Sequence, residues 1–183
     1  MSSKDPYTLD NESSIPAPFN TLIPSYFRNW DNPHTKVEDI LKRHAPTCYV
    51  KFGGANIVGH DGIRAMRAGF VDPVNGPCVD LEHNLKTCWM PARVSTTESM
   101  SSSESESNAS QTEQAFIIKS SIWYRLVNGQ EIEAECTSYI KFVNTDHQKE
   151  GDEDSWLITE YEVCMSSFEV MDAVKALSAG GGG

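Results

Sequence analysis

The stretch CVDLEHNLKTCWM (78–90) alternates in polarity. Leu81, His83, Leu85, Thr87 and Trp89 point one way, and Asp80, Glu82, Asn84 and Lys86 the other. A histidine on the apolar face of a strand has two readings. It is a core residue with satisfied ring nitrogens, or a proton carrier held away from water with a pKa near neutrality, as general acid–base chemistry requires. The other chemistry-bearing residue types give less. The cysteines (Cys48, Cys78, Cys88, Cys136, Cys164) are odd in number and widely spaced, with no CxxC pair. Buried reduced thiols are expected, not a disulfide framework or a zinc site. Neither Cys136 nor Cys164 has a histidine that the sequence would pair with it as a nucleophile. No histidine or carboxylate spacing suits a metal, and Gly53-Gly54 reads as a turn, not a phosphate loop. No metal and no cofactor are expected.

The elements that would hold these residues follow from periodicity. In FNTLIPSYFRNW (19–30), Pro24 breaks the run, so a short helix is expected from Ser25, carrying Tyr26, Phe27 and Trp30. Thr35 and Glu38 have capping-box spacing, Val37, Ile40, Leu41 and His44 follow at helical intervals, and Pro46 ends the pattern. TCYVKF and ANIVG read as short strands around Gly53-Gly54, and a further helix carries Ile63, Met66, Ala68 and Phe70. Strands are then predicted over 78–90, 115–127, 130–143 and 155–165, with Asn128-Gly129 as a hairpin turn and a terminal helix over 167–177. Helices and short strands followed by an antiparallel meander make an α+β chain.

Between two of those strands lies STTESMSSSESESNASQTEQ (95–114). The strand before it needs the strand after it as a partner, so it is expected as a disordered insertion at one hairpin connection, since it has almost nothing apolar to bury. The expected organisation is a flexible N-terminal arm over 1–18, one domain over 19–178 containing that insertion, and a flexible tail over 179–183. The formal charge is −11, from 15 Lys and Arg against 26 Asp and Glu. That balance disfavours nucleic acid and anionic membrane surfaces as partners. The N-terminal residues lack the apolar core of a signal peptide and no run is long enough to span a bilayer, so a cytoplasmic protein is expected.

The segments VEDILKRHAPTCYVKFGG, NIVGHDGIRAM, LEHNLKTCWM, WYRLVNGQEIEAECTSYIKF and WLITEYEV stand in a telling order. Together they resemble the SnoaL-like branch of the nuclear-transport-factor-2-like superfamily, over roughly residues 25–172 with a break at 95–114. The resemblance implies a cone-like α+β barrel, its curved antiparallel sheet wrapped around N-terminal helices. It also implies a small apolar pocket in the cone and a homodimer formed through the outer sheet face, where Trp123 and Tyr139 are candidates. The strand of His83 often carries a cavity histidine in this group. By the same resemblance Tyr26 and Asp31 would position water or a carbonyl, and Trp30 and Trp89 would line the substrate pocket. Tyr49 and Tyr124 could place hydroxyls there, and Arg64 or Arg67 could neutralise an anion or oxyanion, although a solvated helix face is expected for Arg67. Many enzymatic relatives end the last strand with an Asp, where YEVCMSSF here offers Ser166 and no acid, which argues against Asp-dependent mechanisms. The expectation is a cofactor-independent lyase, cyclase or isomerase acting on a polyketide or (mero)terpenoid intermediate in secondary metabolite biosynthesis, with His83 moving the proton. The alternative is a non-catalytic small-molecule-binding or dimerisation module of the same fold.

Overall fold

The computed structural model describes residues 4–74, 76–91, 112–146, 149, 151–166 and 168–180. The first helix, α1 (Phe19–Asp31), runs through Pro24 instead of starting after it. Phe19, Leu22, Ile23, Tyr26 and Phe27 are buried on one side of it, and that packing outweighs the single hydrogen bond a proline removes. The second helix, α2, is only Val37–Leu41, and Thr35 does not cap it. Glu38 reaches Arg64 at 2.9 Å instead of closing a capping box. His44, expected on that helix, opens strand β1 (His44–Phe52), which includes Pro46 and pairs in parallel with the last strand.

Strand β2 (Ala55–Val58) leads directly into helix α3 (Gly59–Phe70). Four long strands follow: β3 (Cys78–Trp89), β4 (Glu113–Leu126), β5 (Glu131–Asn144) and β6 (Trp156–Met165). The final helix, α4, covers Glu169–Gly180, so the expected flexible tail begins inside a helix. The sheet order is β2-β1-β6-β5-β4-β3, antiparallel throughout the meander, with β2 and β3 as its two edges. The turn joining β4 to β5 holds Gly129 at φ 83°, in the left-handed region that its Asn-Gly sequence supplies. The result is an α+β fold in which a curved, unclosed sheet cups the helices. Phe19 anchors the deep end of the core, with ring centroids 4.7 Å from both Phe116 and Trp156.

The N-terminal stretch, expected as a loose arm, is docked. Leu85 N donates to Pro6 O, and Asp10 N to Lys86 O, both at 2.7 Å, and the Asn11 side-chain amide brackets the Cys88 backbone. Leu9 and Ile15 are buried in the main core. The physical reason is the open edge of β3, whose unpaired backbone groups the arm satisfies. Glu113 and Gln114, expected within the Ser/Glu-rich insertion, belong to β4; most of that insertion lies outside the described residues. No helix among the described residues is long and apolar enough to cross a membrane.

Candidate functional site

A cavity opens between the concave face of the sheet and helices α1 and α3. Val50, Phe52, Leu81, Ile122, Tyr124, Tyr161 and Val163 supply its sheet wall, and Trp30, Met66, Arg67 and Phe70 its helical wall. His83 projects into it from β3. The cavity is tight, with a volume of about 30 Å³. Its walls must therefore give way for a drug-sized ligand, and Met66 and Phe70 are side chains able to do so.

His83 and Asp31 are held together by a two-point grip. The Asp31 carboxylate accepts from His83 Nδ1 through Oδ1 and from the His83 backbone N–H through Oδ2, each at 2.6 Å. Tyr7 of the docked arm donates to Oδ2 at 3.0 Å. Both members of the pair are buried, at 2% and 3% exposure, where a directed hydrogen bond is strongest. Phe27 packs against the imidazole, ring centroids 4.6 Å apart, and limits its rotation. A carboxylate only accepts, so the neutral ring carries its proton on Nδ1. Nε2 makes no hydrogen bond among the described residues and belongs to a ring that lines the cavity. Such a ring can take a proton from a bound molecule and return it.

The other expected site residues divide. Trp30 and Tyr124 line the cavity. Among the described residues the Tyr124 hydroxyl is engaged only by the weak acceptor Met165 Sδ at 3.7 Å, and burial raises its pKa well above 10. Tyr26 does not reach the cavity. Its hydroxyl meets His44 Nε2 at 3.3 Å while His44 Nδ1 meets the Ile40 carbonyl at 3.0 Å, so the pair ties α1 to the α2–β1 junction. Tyr49 lies on the outer face of β1 and donates to Asn56 at 2.7 Å. Arg64 is on the solvent side of α3, bound to Glu38 and Asp61. Trp89 is 49% exposed because a register shift between Leu85 and Thr87 turns Cys88 inward in its place. Glu160 and Glu162 face outward, Glu162 lying 3.7 Å from Lys51.

Two further residues line the cavity. Tyr161 enters because a register shift between Lys141 and Phe142, opposite Thr159, inverts the parity of β6. Burial raises its pKa. Arg67, expected in solvent, is buried and lines the cavity. Its signal was present: Ile63, Met66, Arg67 and Phe70 have the i, i+3, i+4, i+7 spacing of one helix face. Its Nη1 donates to the Trp30 carbonyl, its Nη2 to the Asn32 carbonyl at 2.8 Å, and its guanidinium lies 5.3 Å from the Trp30 ring centroid. Burial lowers its pKa, with Asp31 opposing that shift. The buried thiols are inert: burial raises Cys48 and Cys88 to about 12 and Cys78 to about 11. Among the described residues no group of three or more His, Cys, Asp or Glu side chains is placed to hold a metal ion.

No family model and no curated protein matches the chain. Solved structures do. An NTF2-like protein of unknown function from Burkholderia pseudomallei matches at a TM-score of 0.52 and 12% identity, over 84% of this chain and 94% of that one. The chain has the NTF2-like fold. A type 2 hexachlorocyclohexane dehydrochlorinase matches at a TM-score of 0.56 and 11% identity, covering 80% of this chain and 81% of its own. A ketosteroid isomerase-like protein from Erwinia carotovora atroseptica matches at 0.50 and 10%, covering 81% and 94%. At these identities the likeness is one of fold, and NTF2-like proteins with lyase- and isomerase-type names stand among the matches.

Proposed function

We propose that the protein is a cofactor-independent lyase or isomerase of the dehydratase or cyclase type, in which His83 is the acid–base residue and Asp31 positions it. The observation that supports this most is the buried Asp31–His83 pair, with Nδ1 engaged and the ring lining the cavity. Asp31 fixes the ring's tautomer and steadies the imidazolium formed when Nε2 accepts a proton. Returning that proton to a leaving hydroxyl completes a dehydration; returning it to a different carbon completes an isomerisation. The apolar walls exclude water and suit a hydrocarbon-rich polyketide or (mero)terpenoid intermediate. Trp30 and Tyr124 line the substrate, and Tyr26 braces the helix that carries Asp31.

The test is turnover. Wild-type protein and His83→Gln are incubated in D₂O with a panel of β-hydroxy ketones of polyketide and terpenoid type, and loss of water and deuterium uptake are followed by NMR. The wild type is expected to turn over at least one, with His83→Gln slower by about 10²- to 10⁴-fold at an unchanged melting temperature. Equal rates in the two proteins would end the assignment.

A further inference from the structure

We propose that Arg67 forms an oxyanion subsite facing His83, so that the substrate is bound by a carbonyl or phenol oxygen adjacent to the carbon that loses its proton. This deepens the acid–base reading above and rests on it for the chemistry, although the binding site itself is testable alone.

The argument begins at the end of α1. Arg67 grips the carbonyls of Trp30 and Asn32, and the residue between them, Asp31, grips His83. One turn of chain therefore fixes both the guanidinium and the imidazole on the same cavity. Capping a helix C-terminus accounts for the two carbonyl bonds. It does not account for a full positive charge buried beside apolar walls. Among the described residues Arg67 has no ion pair with a carboxylate and its Nε–H carries no hydrogen bond. The acid that acts on it, Asp31, makes its bonds to His83 and Tyr7. A buried guanidinium is strongly disfavoured unless an anion answers it.

Charge balance across the reaction supplies that anion. Among the described residues Asp31 is engaged by His83 and Tyr7, and Arg67 touches only two carbonyls. When Nε2 takes a proton from the carbon next to a carbonyl, the C–H electron pair forms a C=C bond and the carbonyl π pair moves onto oxygen. Imidazolium then pairs with Asp31, and the new oxyanion pairs with Arg67. As the C=O bond re-forms, the electrons of the C=C bond expel a β-hydroxyl, which takes the proton from His83 and leaves as water. Alternatively, in a substrate with a β,γ double bond, the electrons of the new C=C bond shift to the α,β position as C=O re-forms, and the displaced β,γ pair takes that proton at the γ carbon. Both routes balance without an oxidant, and both need the oxygen at Arg67 in the transition state.

The probe is 4-nitrophenol, whose ionisation is visible in its absorption, compared with nitrobenzene as a neutral analogue. Wild-type protein is expected to bind the dye as phenolate at a pH where the free dye is largely phenol, and to bind it at least about tenfold more tightly than nitrobenzene. His83→Gln keeps this behaviour, because the subsite does not depend on the base. Arg67→Gln loses the ionisation shift and about tenfold or more in affinity. Arg67→Lys keeps the charge and a reduced shift, and serves if the glutamine variant fails to fold. Wild-type affinity for nitrobenzene equal to that for the dye would overturn the proposal. So would a shift that survives in Arg67→Gln and disappears in His83→Gln. Turnover by His83→Gln at the wild-type rate would refute the catalytic reading while leaving the dye result intact.

Discussion

At the scale of single residues, the site is one acid holding one base. Asp31→Asn keeps the shape but offers an N–H where His83 needs an acceptor, so turnover is expected to fall on the order of 10³-fold with little change in substrate KM. Tyr7→Phe removes one hydrogen bond from the carboxylate, and a loss of only a few-fold in kcat is expected. A Tyr7→Phe loss as deep as that of Asp31→Asn would mean that the phenol takes part directly. His44 makes a different prediction, about stability. Burial pushes its pKa from 6.5 down to about 4. The unfolded chain takes up a proton near pH 6.5 and the folded protein does not, so His44 makes stability fall as pH drops from about 6.5 to 4. The loss reaches about 3 kcal/mol. In urea melts, His44→Gln is expected to flatten that slope; an unchanged slope would assign it to other groups.

At the scale of elements, the arm and the strand irregularities decide where side chains go. Deleting residues 1–15 uncovers the β3 edge, removes buried Leu9 and Ile15, and is expected to cost about 3 kcal/mol, near 10 °C in melting temperature. Replacing residues 95–111 by a short turn leaves the β3–β4 pairing in place, and the melting temperature is expected to move by no more than about 2 °C. A large drop would mean that the segment packs on the domain. The meander was legible in the sequence because alternation and Asn128-Gly129 are local signals. His83 was legible because it precedes the register shift between Leu85 and Thr87, and Trp89 was misplaced because it follows it. Tyr161 was hidden in the same way by the irregularity in β6. The arm could not be read, because its partner is an exposed edge created only by the assembled sheet. Arg67 needed the end of α1 to be in position before a charge on the inner face of α3 made sense.

At the scale of the whole molecule, the sheet turns one face to the helices and the other outward. Trp123 and Tyr139 are partly exposed there among acidic and basic side chains, and we propose a homodimer through this face. Each 20.3 kDa chain carries a formal charge of −11, so the copies repel, and association is expected to tighten as salt screens them. Sedimentation equilibrium at low and moderate salt checks this, and a monomer at both would contradict it. The curved sheet, the two helices and the docked arm converge on one arrangement: a cavity-lining histidine held through Nδ1 by Asp31, its Nε2 without a hydrogen bond among the described residues. The ¹⁵N spectrum of the imidazoles, with His83 assigned by its loss in His83→Gln, measures that arrangement directly. The neutral His83 ring is predicted to show its proton on Nδ1 and an unprotonated Nε2, and Asp31→Asn is predicted to disturb that pattern. A ring protonated on Nε2 in the wild-type protein would contradict the account.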